Sequence, residues 1–238
     1  MSDHDWPENA YSRALLVLTA ATGAIDGVSY LALDRVFTGN MTGNVLFIGF
    51  GLVGVADIPV LNNLVALLAF MLGAVIGSRI TRRGVGAVKL PRSAMALLVI
   101  GTALVFVLAV IWIVVGDLAT PVMIVITGVL ALLLGSQAAA VKHIGIRDLS
   151  TVVVTMTMVN LASDSRLAGG RGHAWSRRVG AIVMMGLGAL AAAAVVLHLG
   201  GGAYALLLAG VLMGVATLLM GQARRRDIAA RELATSRS

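Results

Sequence analysis

Long apolar runs, separated by short polar segments, dominate the pattern along this 238-residue chain. A transmembrane helix needs about 20 consecutive apolar residues, and six runs reach or approach that length. They predict spans at residues 14–33, 59–80, 93–116, 120–141, 178–199 and 202–220. The pattern therefore predicts an all-α membrane protein with six transmembrane helices.

Two further apolar segments are too short to be ordinary spans. One covers residues 38–55 and begins FTGNMTGN, and the other covers residues 150–163, reading STVVVTMTMVNLAS. A short segment at membrane depth is typical of a half-helix that enters and leaves the bilayer on the same side. The sequence thus predicts two re-entrant half-helices in addition to the six spans.

The positions of the basic residues predict the orientation. Cytoplasmic loops of membrane proteins carry an excess of Lys and Arg. Residues 79–92, residues 166–178 and the tail from residue 221 to 238 are rich in these side chains, whereas the links around Asp117 and at 200–202 contain none. Both termini, including residues 1–13, are therefore predicted to be cytoplasmic.

With this orientation each half of the chain consists of a span, a re-entrant segment and two more spans. Three crossings are an odd number, so residues 14–116 and residues 120–220 insert in opposite directions, as an inverted-topology repeat. A register of 113 positions, which aligns Thr38 with Thr151 and Thr42 with Thr155, supports the repeat.

Composition agrees with a membrane location and limits the function. Hydrophobic residues make up 59% of the chain, against roughly 45–50% in soluble proteins. The net charge of +7 would suggest nucleic acid in a soluble protein, but the basic residues lie between apolar runs, so a lipid bilayer is the predicted partner. With no Cys, no His pair at metal-ligand spacing and no nucleophile–base motif, we predict neither a metal, a cofactor nor an enzyme.

Polar residues concentrate at the interrupted segments. Asp26 is the only acid well within a predicted span, and such a carboxylate usually faces a cavity, a partner or a proton path. A half-helix that starts near Gly39 would direct its N–H groups toward the membrane midplane. We therefore predict a site for a small polar or anionic solute. Its predicted residues are Asp26, Thr38, Asn40, Thr42, Asn44, Gln137, Thr155, Thr157 and Asn160.

Each of these features also has a structural interpretation. The Thr and Asn residues could cap the half-helix or bond to neighbouring helices, and Asp26 could make a packing hydrogen bond to Asn40 or Thr42. The Gly73–Gly77 pair and the Gly188–Ala192 pair have the spacing that lets helices approach closely. Such pairs serve packing within the chain or, alternatively, form a homodimer face.

Two stretches resemble the YoaK family of bacterial membrane proteins, which is defined by a domain of unknown function. They are GAIDGVSYLALDRVFTGNMTGNVLFIG and GSQAAAVKHIGIRDLSTVVVTMTMVNLASD, and with the hydropathy pattern the likeness extends over about residues 11–220. In the second stretch the chain has Ala138 where the family usually has an amide and Met156 where it has Gly. The resemblance implies a multi-pass protein of the bacterial inner membrane, without an established substrate.

Two functions remain open from the sequence. The first is a small transporter or channel in which the two half-helices meet near the midplane and Asp26 couples protons or gates. The second is an accessory or structural membrane protein that packs against partners or lipids and transports nothing.

Overall fold

A computed structural model describes residues 6–82, 89–142, 144–145, 154–170 and 175–235 of the chain. These residues form eight α-helices and a short 3-10 turn at Arg166–Ala168, and no strand occurs among them. The helices are α1 Trp6–Ala32, α2 Met41–Leu52, α3 Val60–Arg82, α4 Arg92–Val115, α5 Thr120–Lys142, α6 Val154–Ser163, α7 Trp175–His198 and α8 Gly202–Thr235. Six of them are long and apolar enough to cross a membrane, whereas α2 and α6 are short. The predicted all-α architecture with six candidate spans is confirmed for the described residues.

Local sequence explains where α4 begins and ends. Pro91 precedes it in an extended conformation, with φ −60° and ψ 157°. Proline suits this position because it lacks the N–H that a helix start leaves unpaired. At the other end Gly116 has a φ of 76°, a backbone conformation that glycine adopts without strain. The short link that follows leads directly into α5.

The last helix is longer than the predicted span. Its 34 residues correspond to about 51 Å of helix, compared with about 30 Å of hydrocarbon in a bilayer. The extension packs on the residues before α4, where Asp227 Oδ2 accepts from the Lys89 N–H at 3.1 Å and Arg224 Nε donates to the Leu90 carbonyl at 3.0 Å. The basic tail therefore continues the helix to Thr235 and is docked through Arg224 and Asp227.

Two close helix crossings organise the bundle. Helix α1 packs against α7 and α8, α3 packs against α5, and α4 packs against α8 and α5. At both crossings a glycine brings one backbone onto the other: Gly188 of α7 faces the Ala20 backbone, and Gly73 of α3 faces the Leu132 backbone. The small-residue positions noted in the sequence thus serve packing within the chain.

The start of α1 and the end of α8 lie at the same end of the bundle. Asn9 and Arg13 line one cavity together with Gln222 and Arg226. The residues before α4 dock at this end as well, through the bonds to Arg224 and Asp227. The segments predicted to be cytoplasmic tails therefore share one end of the molecule.

Side chains on the outside of the bundle are apolar. Leu61, Leu68, Val110 and Leu190, on three different helices, are each more than half exposed, and many other Leu, Ile and Val residues are exposed with them. A water-facing surface of this kind would be unusually apolar, whereas it suits contact with lipid. Helix α1 is the most enclosed span, with 72% of its most apolar window buried.

Candidate functional site

The segment between α1 and α2 turns back along α1. After α1 ends at Ala32, the chain returns to Asp26, which lies six residues, or about 9 Å, inside the helix end. Asp26 Oδ1 accepts hydrogen bonds from the backbone N–H of Thr38 at 2.9 Å and of Gly39 at 2.7 Å. The Thr38 hydroxyl lies 3.4 Å from the same oxygen. Asp26 thus holds Thr38 and Gly39, which form the tip of this segment, before α2 begins at Met41.

The two shortest hydrogen bonds to this carboxylate come from backbone amides. The packing interpretation expected a bond from Asp26 to Asn40 or Thr42, and the hydrogen bonds observed come from the neighbouring residues Thr38 and Gly39. The N–H groups expected to face an anionic solute are therefore bonded to the protein's own carboxylate. A side chain on Gly39 would crowd this contact, since a Cβ there would lie 3.2 Å from Asp26 Oδ2.

Asn44 closes the same segment from the side of α2. Its Oδ1 accepts from the Phe37 N–H at 2.9 Å, and its Nδ2 donates to the Phe37 carbonyl at 2.6 Å. The side-chain amide thereby pairs with both backbone groups of one residue, as a neighbouring strand would. Asn44 is fully buried, and its polar atoms are used to hold the segment.

Replacing Asn44 by Leu is expected to loosen this segment. The substitution leaves the Phe37 N–H and carbonyl without their partner, and because Phe37 is only half-buried we expect a loss of about 2 kcal/mol in unfolding free energy. Asn40→Leu is the matched control, since Asn40 is exposed in the same segment and should change stability by less than about 0.5 kcal/mol. Thermal unfolding in detergent measures both, and equal effects would contradict the role of Asn44.

Three aromatic rings form a stack at this segment. Tyr30 stacks on Phe37 with centroids 5.0 Å apart, and Phe47 lies 6.1 Å from Phe37 and 6.3 Å from Tyr30. One ring comes from α1, one from the returning segment and one from α2. This stack joins the three parts and was not foreseen from the sequence, although all three aromatic residues fall within 18 positions.

A second polar group lies beside this anchor, on α5. Gln137 Nε2 lies 3.4 Å from the hydroxyl of Thr22, which donates to the Leu18 carbonyl at 3.1 Å. Thr22 is one helical turn before Asp26 on α1, so the two side chains share a face. Gln137 is thereby brought to the α1 face that carries Asp26.

Two buried acceptor atoms in this region have no hydrogen-bond partner. They are Asp26 Oδ2 and Gln137 Oε1. A buried acceptor without a donor is unfavourable by about 1–3 kcal/mol, and so such atoms usually meet a proton, a water molecule or a ligand. Both atoms can accept a hydrogen bond from such a donor. We call Thr22, Asp26, Gln137 and the tip residues Thr38 and Gly39 the Asp26 cluster.

The other predicted site residues are not part of the Asp26 cluster. The side chains of Asn40, Thr42 and Thr155 are exposed, whereas Thr157 is buried on α6. Within the described residues α2 packs on α3, α6 packs on α7 and the 3-10 turn, and α2 and α6 do not touch. Residues 150–153, the start of the second short segment, lie outside the described part of the chain.

The end of α6 is held by a buried arginine at the start of α7. Arg178 Nη1 donates to the Asn160 carbonyl at 2.9 Å and pairs with Asp164 Oδ2 at 2.6 Å. The Arg178 side chain is only 10% exposed. In the sequence this arginine was counted only as part of a basic loop, and Asp164 was the available sign of a partner.

No group of three or more His, Asp or Glu side chains among residues 6–82, 89–142, 144–145, 154–170 and 175–235 is arranged to hold a metal ion. The absence of a metal or cofactor remains a prediction from the sequence.

Comparison with known proteins identifies the family. A family model described as "Protein of unknown function (DUF1275)" matches residues 14–219. The chain belongs to this family. The DUF1275 match includes every helix at least in part and stops before the docked extension of α8. The resemblance predicted from the sequence is thus confirmed.

One curated relative adds the membrane context. The chain is 30% identical to the UPF0700 transmembrane protein YoaK of Bacillus subtilis over 156 residues, which are 65% of this chain and 68% of that protein. Together with the six apolar helices, this makes the chain a multi-pass membrane protein of the DUF1275 family. No solved structure matches it.

Proposed function

We propose that this protein is a small-solute transporter of the bacterial inner membrane, not an enzyme, with Asp26 as the protonatable group of its solute site. The observation that carries the proposal is a carboxylate buried within a span, with one oxygen holding an interrupted segment and the other without a partner. Ionisable side chains at membrane depth are unfavourable to insert and are typical of proton and solute pathways.

The two oxygens of Asp26 have different tasks in this proposal. Oδ1 accepts from Thr38 and Gly39, and Oδ2 is available to a proton or to a donor group of the solute. Hydrogen bonds to a charged acceptor are roughly twice as strong as neutral ones. Protonation of Asp26 therefore weakens its hold on the tip, and this couples the protonation state to the position of the segment. A solute that carries donor groups fits both Oδ2 and Gln137 Oε1.

We further infer that the first short segment is re-entrant. Leu33, which precedes it, accepts from Asn62 Nδ2 at 3.0 Å through its carbonyl. The loop residues on the two sides of the segment, Asp34 and Asp57, line one cavity at the same end of the bundle. Both observations support a segment that enters and leaves from one side, with its tip at Asp26.

The inverted repeat is supported by the recurrence of one crossing contact. At the α1–α7 crossing, Gly23 of α1 faces the backbone of Met185. At the α3–α5 crossing, Gly135 of α5 faces the backbone of Phe70. Helix α5 thus occupies the position of α1 in this contact, and α3 occupies the position of α7. An inverted repeat requires this correspondence, because it pairs α1 with α5 and α3 with α7.

At each crossing the second helix also has a glycine that faces the backbone of the first, and this contact recurs with the same spacing. Gly188 faces Ala20, and Gly73 faces Leu132. From α1 to α5 the matched positions of both contact pairs differ by 112 residues, and from α3 to α7 they differ by 115. The helix spacing of 112 is one less than the 113 of the sequence alignment, so Asp26 corresponds to Ala138 rather than to Ala139. Either partner is an alanine, and the proposed transporter therefore has one carboxylate rather than a symmetric pair.

We infer from the same arrangement that both termini are cytoplasmic. The basic segments next to α4 and at the end of α8 lie at the end of the bundle that carries α1's start. An excess of Lys and Arg is typical of cytoplasmic loops.

The accessory function is the second candidate, and one observation favours it. Asn44 and Asp26 Oδ1, both expected at the solute site, bond to the backbone of the interrupted segment instead. In this alternative the polar residues only fix the segment, and the surface contacts a partner or lipid. Asp26 would then be needed for folding but not for any flux.

Flux in proteoliposomes distinguishes the two candidates. Vesicles with an enclosed pH-sensitive dye are given a pH gradient and a panel of solutes with donor groups, namely amines, amino acids and polyols. We expect solute-dependent proton movement with the wild type and none with Asp26→Asn, because the amide keeps an acceptor for Thr38 and Gly39 but does not titrate.

Asp57→Asn is the matched control for this measurement. Asp57 lies in the loop after α2 with a φ of 60°, a conformation that Asn tolerates well, so this variant should behave as the wild type. Wild-type vesicles without solute-dependent proton movement would contradict the transport proposal. Movement that persists in Asp26→Asn would contradict the assigned role of Asp26.

A further inference from the structure

We propose that the Asp26 cluster binds a small protonated amine and does not bind an anion. This inference rests on the proposed solute site and names the chemical class of its solute. The direction of the hydrogen bonds at the cluster carries it. The donors there are directed to acceptors of the protein, whereas two buried acceptor oxygens have no donor.

The hydrogen-bond donors on α1 and at the tip are already used within the protein. The two backbone N–H groups of Thr38 and Gly39 and, at 3.4 Å, the Thr38 hydroxyl are directed to Asp26 Oδ1. The Thr22 hydroxyl donates to the Leu18 carbonyl at 3.1 Å. An anion needs N–H or O–H groups directed toward it, and all four of these groups are directed elsewhere. The cluster therefore does not suit an anionic solute.

The Thr22 hydroxyl also determines which end of the Gln137 amide faces it. Because its proton is directed to the Leu18 carbonyl, its oxygen acts as an acceptor at this contact, so the amide nitrogen is the atom that belongs 3.4 Å away. Gln137 Oε1 has no partner, although the residue is only 4% exposed. One amide hydrogen thus remains beside two unpaired acceptors, and one of these acceptors is a carboxylate oxygen.

Thr22 also connects the two unpaired oxygens in space. Its methyl group and Asp26 Oδ2 both border the point where a Cβ of Gly39 would lie, at 3.1 and 3.2 Å. Its hydroxyl is the contact of the Gln137 amide. The carboxylate and the amide thus adjoin one side chain. This arrangement suits a ligand that carries several N–H groups on one atom.

Charge and the number of ligand atoms favour an amine over a neutral solute or a metal ion. No Lys or Arg side chain pairs with Asp26 in the part of the chain that the structure describes. A cation therefore gains a charge-assisted hydrogen bond at Oδ2, which is roughly twice as strong as a neutral one. A hard metal cation such as Ca²⁺ takes about six to eight oxygen ligands, and only two unpaired oxygens are present.

Equilibrium binding of radiolabelled methylammonium to the full chain in detergent tests this assignment. At pH 7 the probe is a cation, as the side chain of lysine is. We expect saturable binding that ammonium displaces and that sodium, acetate and glycerol at the same concentration do not. Displacement by sodium would overturn the amine assignment in favour of a metal cation. Displacement by acetate or glycerol would overturn the requirement for a positive charge.

Three variants and a matched control locate the binding. Asp26→Asn and Gln137→Leu should each lower methylammonium affinity at least about tenfold, because each weakens or removes one acceptor of a charged donor. Gly39→Ala should lower it as well, since the added Cβ would lie 3.2 Å from Asp26 Oδ2. Gly49→Ala on α2 is the control, because a Cβ there meets nothing within 4 Å, and its affinity should change by less than twofold.

Unchanged binding in Asp26→Asn, or equal losses in Gly39→Ala and Gly49→Ala, would overturn the site. Gly39→Ala retains both acceptor side chains and so keeps the test valid if Gln137→Leu folds poorly. The outcome is separate from that of the flux measurement. Methylammonium binding without solute-dependent proton movement would support this inference and contradict transport. Proton movement with a polyol, in a protein that does not bind methylammonium, would support transport and overturn the amine assignment.

Discussion

Gly188→Ala should destabilise the protein severely, whereas Gly186→Ala, two residues earlier on α7, should have almost no effect. A Cβ on Gly188 would overlap with the carbonyl oxygen of Ala20, and this neighbour is backbone that cannot rotate away. A Cβ on Gly186 would meet nothing within 4 Å. Overpacking in a core usually lowers stability by about 1–3 kcal/mol, and at a backbone contact we expect at least about 3 kcal/mol.

Gly73→Ala provides an independent repeat of this test at the other crossing. A Cβ there would overlap with the Leu132 carbonyl oxygen, so the loss should equal that of Gly188→Ala. Thermal unfolding in detergent, followed by size-exclusion chromatography of the remaining monodisperse protein, measures all three variants. If Gly188→Ala were as stable as Gly186→Ala, α1 and α7 would not be packed backbone to backbone.

Asp26→Leu is expected to detach the tip of the first short segment from α1. The substitution removes the acceptor of the Thr38 and Gly39 N–H groups, and a hydrogen bond to a charged group contributes about 1.5–3 kcal/mol. The loss of two such bonds should speed hydrogen–deuterium exchange of these amides by about 100-fold. Mass spectrometry of peptides that cover residues 33–44 measures this rate.

Asp26→Asn separates the structural role of this residue from its charge. The amide oxygen still accepts from Thr38 and Gly39, so exchange should increase by less than about tenfold while proton-coupled flux is lost. If Asp26→Leu left the exchange of both amides at the wild-type rate, Asp26 would not be the anchor of the tip.

Most span boundaries could be predicted to within a few residues because a bilayer imposes both the length and the composition of a span. The start of α1 is an exception, since the helix begins at Trp6, eight residues before the predicted start at residue 14. Residues 120–141 were predicted and α5 runs from Thr120 to Lys142. The end of α8 was missed because its last turns are polar and lie outside any hydrophobic window. Contacts of Arg224 and Asp227 with residues about 135 positions earlier stabilise these turns. Hydropathy contains no information about such contacts.

The sequence predicted the residues of the site better than the hydrogen bonds between them. The sequence singled out Asp26, Thr38 and Asn44 because polar groups at membrane depth need partners. Which atoms become those partners depends on how far the tip returns along α1, and no residue pattern gives that depth. The backbone N–H groups of Thr38 and Gly39 are carried by every non-proline residue, so they leave no signal in the sequence.

Glycine spacing likewise predicted close packing but not the packing partner. The Gly73–Gly77 pair marks a face that another backbone can approach, and both a helix of the same chain and a second copy satisfy that pattern. The choice of α5 follows only when the whole bundle is assembled.

The exchange of helices between the two halves has a consequence for biosynthesis. The glycine face of α1 packs against α7, and the two helices begin about 170 residues apart in the chain. At a synthesis rate of about 5–20 residues per second, the first helix spends roughly 10–30 s in the membrane before its main neighbour has emerged from the ribosome. Throughout that interval the bond from Asp26 to its own downstream loop is available, so a short local contact can shield the carboxylate until the late helix arrives.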